Sequence, residues 1–267
     1  MSNSRLQIHV LASGSRGNAA IIEDIVTKRS LLVDCGVCKR DFFSRASEVG
    51  VDPAHIEGIL VTHEHGDHTK GIGVVTRGLH KIGCEPKLYT TKAIAHASAE
   101  IEKVQETCDI EHFSADDSLS IAGVSVHVFA TSHDSVESVG FRFEQDNDAI
   151  GYLTDSGVMT PASFDALKAC RILTLESNHD TRMLETGPYP YHVKQRVGSD
   201  RGHLSNAQAQ EALESLLDTQ LKQVIAMHIS ENNNTYRLPR EGFEEVLARN
   251  NHPAAVQTAF QHRIVSA

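Results

Sequence analysis

The chain has 267 residues with a formal net charge of −10, and 40% of its residues are hydrophobic. That length supports a core without disulfide staples, and no apolar run reaches the roughly 18 residues of a membrane span. The acidic balance argues against sequence-blind coating of nucleic acid, while leaving room for a local basic patch or for bound cations. Five cysteines and an opening MSNSRLQIHV without an apolar signal stretch lead us to expect a cytoplasmic, reducing setting with no membrane partner. Sixteen histidines invite a search for metal ligands.

Short strands are expected at 6–12, 19–26 and 30–34, with the turn-rich SGSRGN at 13–18 between the first two. IEGILVT at 56–62 reads as a buried strand, and 91–107 carries apolar residues at helical spacing. Strands follow at 119–131, interrupted by a glycine-centred turn, then at 138–145, 149–155, 171–177 and 223–229. Helices are expected between the later strands. The clearest is 205–217, where Ser205 and Gln208 form a capping-box pattern. Residues 178–203 show no period, which in a compact chain marks a functional stretch. Strand meanders in both halves, each followed by helices, suggest two sheets packed face to face with helices outside. No linker or repeat divides the chain, so 1–267 reads as one domain.

The decisive run is Thr62-His63-Glu64-His65-Gly66-Asp67-His68, directly after the buried strand. On a strand-to-helix turn, His63 and His65 converge on one metal while Asp67 and His68 reach a second. Imidazole with carboxylate suits Zn²⁺ or another first-row ion. The run resembles the metallo-β-lactamase fold family, whose hallmark is H-x-H-x-D-H after a strand. The resemblance implies an α/β (α+β) fold of the αββα sandwich type, with two mixed sheets face to face and a dinuclear site at one edge. It also implies further ligands at strand ends: His133 for the first metal, Asp155 bridging both, and His228 for the second. Asp34, closing SLLVD, either orients a ligand histidine or caps the following turn.

Later motifs narrow the group. Gly202-His203-Leu204-Ser205-Asn206 before the capped helix, with His228 some way beyond, resembles the nuclease branches that include ribonucleases Z and J. There a helix N-terminus would offer free N–H groups to a phosphate, and His203 would assist the departing oxygen. Leu11–Asn18, Glu176–Asp180, Arg201–Asn206 and His228–Asn233 together look like the YycJ (WalJ) group of small nucleases. That resemblance implies a 5′→3′ exonuclease on double-stranded DNA with a 5′-phosphate, and the chain is too short for the large inserted cap domain of ribonuclease J. The expected cofactors are two divalent ions, Zn²⁺ being the natural choice for histidine and Mn²⁺ the alternative.

Asp67 and His203 are the expected catalytic residues, Asp67 taking the proton of the attacking water. Substrate contacts are expected from Lys194 and Arg196, from Asn178 and Ser205, and from Ser15 and Asn18, whose turn either cradles a phosphate or merely joins two strands. Arg201, Arg237 and Arg240 extend the basic strip, and Tyr189 and Tyr191 either stack on bases or pack beneath the loop. The Cys35–Cys38 pair lacks the context of a redox or zinc motif. A ribonuclease, or a small-ester hydrolase of the glyoxalase II type, is the alternative among enzymes. A metal-binding or redox module that uses the histidine cluster and the Cys35–Cys38 pair without turnover is the alternative outside them.

Overall fold

Alternating apolar residues build two seven-stranded sheets, seen in a computed structural model that describes residues 4–267. The first half runs β1 (Leu6–Ala12), β2 (Ala19–Asp24), β3 (Ser30–Val33), α1 (Lys39–Glu48), β4 (Ile56–Leu60), α2 (Gly66–Thr69), α3 (Ile72–His80), β5 (Lys87–Thr90), α4 (Lys92–Ala97), α5 (Ala99–Glu102) and β6 (Ile110–His112). The second half begins with β7 (Ser118–Ile121), β8 (Val124–Ala130), β9 (Val139–Gln145), β10 (Asp148–Leu153), α6 (Pro161–Leu167) and β11 (Ile172–Glu176). It continues with α7 (Thr181–Thr186), α8 (Tyr191–Val197), α9 (Asn206–Leu216), β12 (Gln223–Met227), α10 (Arg237–Arg249), β13 (Ala255–Thr258) and β14 (Val265–Ser266).

One sheet has the order β14-β1-β2-β3-β4-β5-β6 and the other β13-β12-β11-β10-β9-β8-β7. Each opens as an antiparallel meander and turns parallel at β3 or β10, where crossovers replace tight turns. Successive side chains on a strand point to opposite faces, so one set from each strand fills the gap between the sheets. Ile8, Val10, Ile22, Leu31 and Leu60 meet Val128, Phe141, Phe143, Ile150 and Ile225 there. The other set packs outward: Leu32, Ile59 and Leu88 against Phe42 of α1 and Val75 and Leu79 of α3, and Leu173, Leu175 and Val224 against Leu213 of α9 and Phe243 of α10. The expected αββα sandwich is therefore the observed one. Among the described residues, no helix is long and apolar enough to cross a membrane.

Three expectations change in detail. The helix at 91–107 is broken at Ser98, which has an extended backbone and accepts a hydrogen bond from Ile101 N, starting a new helix instead of continuing the old one. Residues 178–203 hold two short helices, α7 and α8, in place of an irregular loop. The strands expected at 30–34, 149–155 and 223–229 stop short, because Asp34, Asp155 and His228 take left-handed backbones at φ 56°, 46° and 51° and leave their ladders. At its start the 205–217 helix matches expectation, with both halves of the Ser205–Gln208 capping box formed.

At the end of the sandwich where β10 begins, Asp148 joins the sheets. Its carboxylate accepts from Arg5 N at 2.7 Å, Leu6 N at 2.9 Å and Arg171 Nε at 2.6 Å. Burial alone would raise the Asp148 pKa, but the Arg171 guanidinium and these donors outweigh it and hold the carboxyl below its usual range. A depressed folded-state pKa gives stability that is present above the unfolded value near 4 and lost as pH falls through the folded value. Asp148→Asn is expected to cost about 3 kcal/mol in denaturant unfolding at neutral pH, with a smaller deficit below about pH 3; an equal deficit at both pH values would rule the clasp out.

Candidate metal centre

At the opposite end of the sandwich β1, β3, β4, β8, β10, β11 and β12 all terminate, and their last residues converge. The chain leaves β4 through Val61 and Thr62, whose N–H and Oγ bond the Asp34 carboxylate at 2.9 and 2.8 Å. His65 O then accepts from His68 N and Thr69 N, closing the turn that starts α2. Asp34 also accepts from His68 Nδ1 at 2.7 Å, both groups being fully buried, which fixes the ring so that Nε2 faces the cluster. Of the two roles open to Asp34 in the sequence, the structure thus favours orientation of a histidine. Gly36 lies against the Asp67 carbonyl so closely that any Cβ would collide with it.

The second sheet supplies the other side. His133, beyond β8, directs Nδ1 to Gly202 O at 2.9 Å and brings Nε2 to 3.2 Å from His65 Nδ1. Asp155 stands in the middle, with one oxygen 3.3 Å from His68 Nε2 and the other 3.3 Å from His228 Nδ1 and 3.8 Å from His133 Nε2. His228 N donates to Ser13 Oγ at 2.7 Å, a bond that crosses from β12 to the end of β1. His228 Nε2 lies 3.6 Å from Asp67 Oδ2.

Ligand atoms within 4.8 Å of one another form the sets His63–His65–His133, His63–His68–Asp155, Asp67–His68–His228 and Asp155–Glu176–His203–His228. Burial, then the neighbouring His68, pulls His63 well below the ordinary imidazole range, and burial likewise lowers His133. Burial would raise Asp155, but His228 and His68 reverse it and hold the carboxylate ionised. Against the same burial, Asp155 and Glu176 lift His228 to about 10, so protons here balance clustered carboxylates. Two buried nitrogens, His63 Nε2 and His228 Nε2, have no hydrogen-bond partner. Unpaired imidazole nitrogens among ionised carboxylates fit divalent cations, whose binding displaces such protons.

A residue placed by the sequence only within a family motif, and given no role there, joins them. Glu176, at the end of β11 and fully buried, accepts from His203 Nδ1 at 2.8 Å, His228 Nδ1 at 3.0 Å and Ser156 N at 2.9 Å. Burial pushes its carboxyl up, yet His203 and these bonds bring it down to about 2. The signal was available: a glutamate closing the apolar run RILTLE is costly to bury without partners.

The expected substrate contacts fare differently. Ser15 is exposed on its turn, whereas Asn18 is fully buried, accepting from Gly14 N at 2.8 Å and placing Nδ2 2.9 Å from His68 Nε2 and 3.3 Å from Asp67. Asn178 gives its amide to His228 O at 2.8 Å, and Ser205 gives its hydroxyl to the cap of α9. These three brace the site from within, in place of the outward contacts expected of them. At the N-terminus of α9, Asn206 N donates to His179 O and Gln208 N to Ser205 Oγ, so two of its first amides are engaged within the protein. Lys194 Nζ donates to Glu185 O, Arg196 pairs with Asp134 at 3.4 Å, and Arg201 bonds the carbonyls of His133 and Ser135. Arg237 and Arg240 pair with glutamates along α10, and Tyr189 accepts from Asn232. Cys35 is buried and Cys38 exposed, both as free thiols.

The family model described as the beta-lactamase superfamily domain matches residues 29–229. The exodeoxyribonuclease YycJ of Bacillus anthracis is 32% identical over 242 residues, covering 91% of this chain and 89% of the relative. The exodeoxyribonuclease WalJ of Streptococcus pneumoniae is 32% identical over 241 residues, covering 89% and 87%. In fold, the chain is similar to the metallo-β-lactamase fold protein YhfI from Bacillus subtilis, with a TM-score of 0.72 at 17% identity over 98% of this chain and 99% of that one. The chain therefore belongs to the beta-lactamase superfamily and, within it, to the YycJ and WalJ family, as a hydrolase of the metallo-β-lactamase fold.

Proposed function

We propose that the chain is a metal-dependent phosphodiesterase, a 5′→3′ exonuclease acting on double-stranded DNA that carries a 5′-phosphate. The observation that carries this reading is the His203–Glu176 pair, which stands beside the ligand cluster and is anchored to it through His228. Likeness to exodeoxyribonucleases over most of the chain supports DNA as the substrate. His63, His65 and His133 would hold one ion and Asp67, His68 and His228 the other, with Asp155 between them, Zn²⁺ suiting the donors best. Bound there, divalent ions supply a water acidic enough to attack at neutral pH and neutralise charge building on the phosphate.

The chain's own groups then do three things. Asp67, at 23% side-chain exposure the most open carboxylate of the cluster, is placed to take the remaining proton of the water. Glu176 holds His203 by Nδ1, leaving Nε2 to face the departing 3′-oxygen and protonate it. Asp34 and Asn18 keep His68 and Asp67 from turning away. Little sequence preference is expected, since the histidines and carboxylates of the cluster would meet the phosphate and not the bases. Five free thiols fit the reducing cytoplasm as its setting.

A 5′-phosphorylated, internally labelled duplex and its RNA counterpart, each with Zn²⁺ or Mn²⁺, test the reading directly. Nucleotide release from the 5′ end of DNA is expected, falling at least about 1,000-fold in Asp67→Ala; preferential cleavage of RNA would reassign the chain as a ribonuclease. Turnover of small esters without cleavage of either polymer would move it to the glyoxalase II type.

His203→Ala is expected to lower kcat about 100- to 10,000-fold while metal content, measured by atomic emission, stays at the wild-type level. Glu176→Gln is expected to lower kcat about 10- to 100-fold and to weaken metal retention through His228. Full activity in Glu176→Gln would show that the carboxylate has no part in orienting either histidine.

A further inference from the structure

Beside the His203–Glu176 pair lies a cavity of about 380 Å³ whose walls include His179, Leu184, Tyr191, Lys194, Gln195 and Gln208. Its position is fixed by a backbone bridge between His179 and Ser205, two residues beyond His203. Tyr191 and Gln195 sit four apart on α8, and so share one face of that helix.

Part of the polar lining is already engaged. Lys194 Nζ donates to a carbonyl, Gln208 Oε1 accepts from Ser205 N at 2.9 Å, and Asn206 N and Gln208 N at the start of α9 are bonded. Lys194 keeps two further N–H donors and its charge, but the Glu185 carboxylate in the same lining opposes an anion. Among the described residues, the lining side chains left without a hydrogen bond are Tyr191, 76% exposed, Gln195, His179, Thr181 and Glu185. His179 is 3% exposed and, among the described residues, makes no side-chain hydrogen bond, its Nδ1 being buried without a partner. Burial, opposed by Glu176, lowers it to about 4, so the ring is neutral and presents one N–H and one lone pair. With Nδ1 closed off from the cavity, an occupant meets His179 at Nε2, which donates or accepts according to the tautomer.

We propose that this cavity takes the nucleobase of the terminal nucleotide on the strand being cut, with Tyr191 stacking on its face and His179 and Gln195 meeting its polar edge. The proposal rests on the nuclease reading above. It explains how the enzyme would register on a strand end without reading sequence. Every base offers a π face, and a rotatable amide beside a neutral imidazole matches donors and acceptors alike. Seating the last base here sets its 3′-phosphate toward His203, so cleavage proceeds one nucleotide at a time.

Two measurements test the cavity separately from the chemistry. In equilibrium dialysis of the intact protein, thymidine 5′-monophosphate is expected to bind at least about tenfold tighter than inorganic phosphate or ribose 5-phosphate, and Tyr191→Ser to lose about tenfold. His179→Gln should lose affinity as well, and exposed Tyr191 keeps the test valid if that buried substitution fails to fold. In the second measurement, a 5′-phosphorylated duplex with an abasic first residue is expected to raise KM about tenfold for the wild type, with no such difference in Tyr191→Ser. Equal KM for abasic and intact ends, phosphate binding as tight as the nucleotide, or binding indifferent to Tyr191→Ser would each overturn the proposal. Nucleotide binding sensitive to Tyr191→Ser without cleavage of any DNA would support the cavity and sink the nuclease reading.

Discussion

The fully buried Asp34 carboxylate is the contact on which the rest of the site depends. It takes the Thr62 N–H, the Thr62 hydroxyl and His68 Nδ1 at once, so one side chain at the end of β3 sets both the exit path from β4 and the angle of a histidine six residues later. A buried carboxylate with three donors is well satisfied, while removing any of them leaves charge stranded in a dry interior. That asymmetry makes the arrangement rigid. The imidazoles and carboxylates beyond it can then crowd within a few ångströms without turning away from one another.

Legibility in the sequence followed distance along the chain. His63, His65, Asp67 and His68 declare themselves because four donor residues in one short run have no place on a single helix or strand face. His133, Asp155 and His228 became readable only as members of a family pattern, since each alone looks like any polar residue closing a strand. Glu176 was read only as the first residue of a family motif, with no role, because its partners, His203 and His228, lie 27 and 52 residues downstream. Asn18 and Asn178 were read outward as substrate contacts, because a polar residue in a turn-rich segment is indistinguishable from one folded inward to brace a neighbour. The sandwich itself was legible from alternation, but short helices such as α7 and α8 have too few turns to show a period.

Strand ends carry a common device. Asp34, Asp155 and His228 all adopt the left-handed backbone that L-residues avoid, at a cost of order 1 kcal/mol each. In each case the twist stops ladder pairing where the side chain must swing from the sheet into the gap at its edge. Two of these residues are aspartates, which tolerate the conformation better than most, and His228 is held there by Ser13 and Asn178 from other segments.

His228 has a temporal meaning as well. It lies just beyond β12, and its N–H takes Ser13 Oγ, from the segment that follows β1, as a partner. A ribosome-bound chain that has not yet released β12 lacks that histidine, and with it one side of the cluster and one of the two imidazoles on Glu176. The remaining ligands can be made, and even folded in part, without assembling the constellation. The cluster of this design is therefore completed only when β12 joins the sheet beside β11.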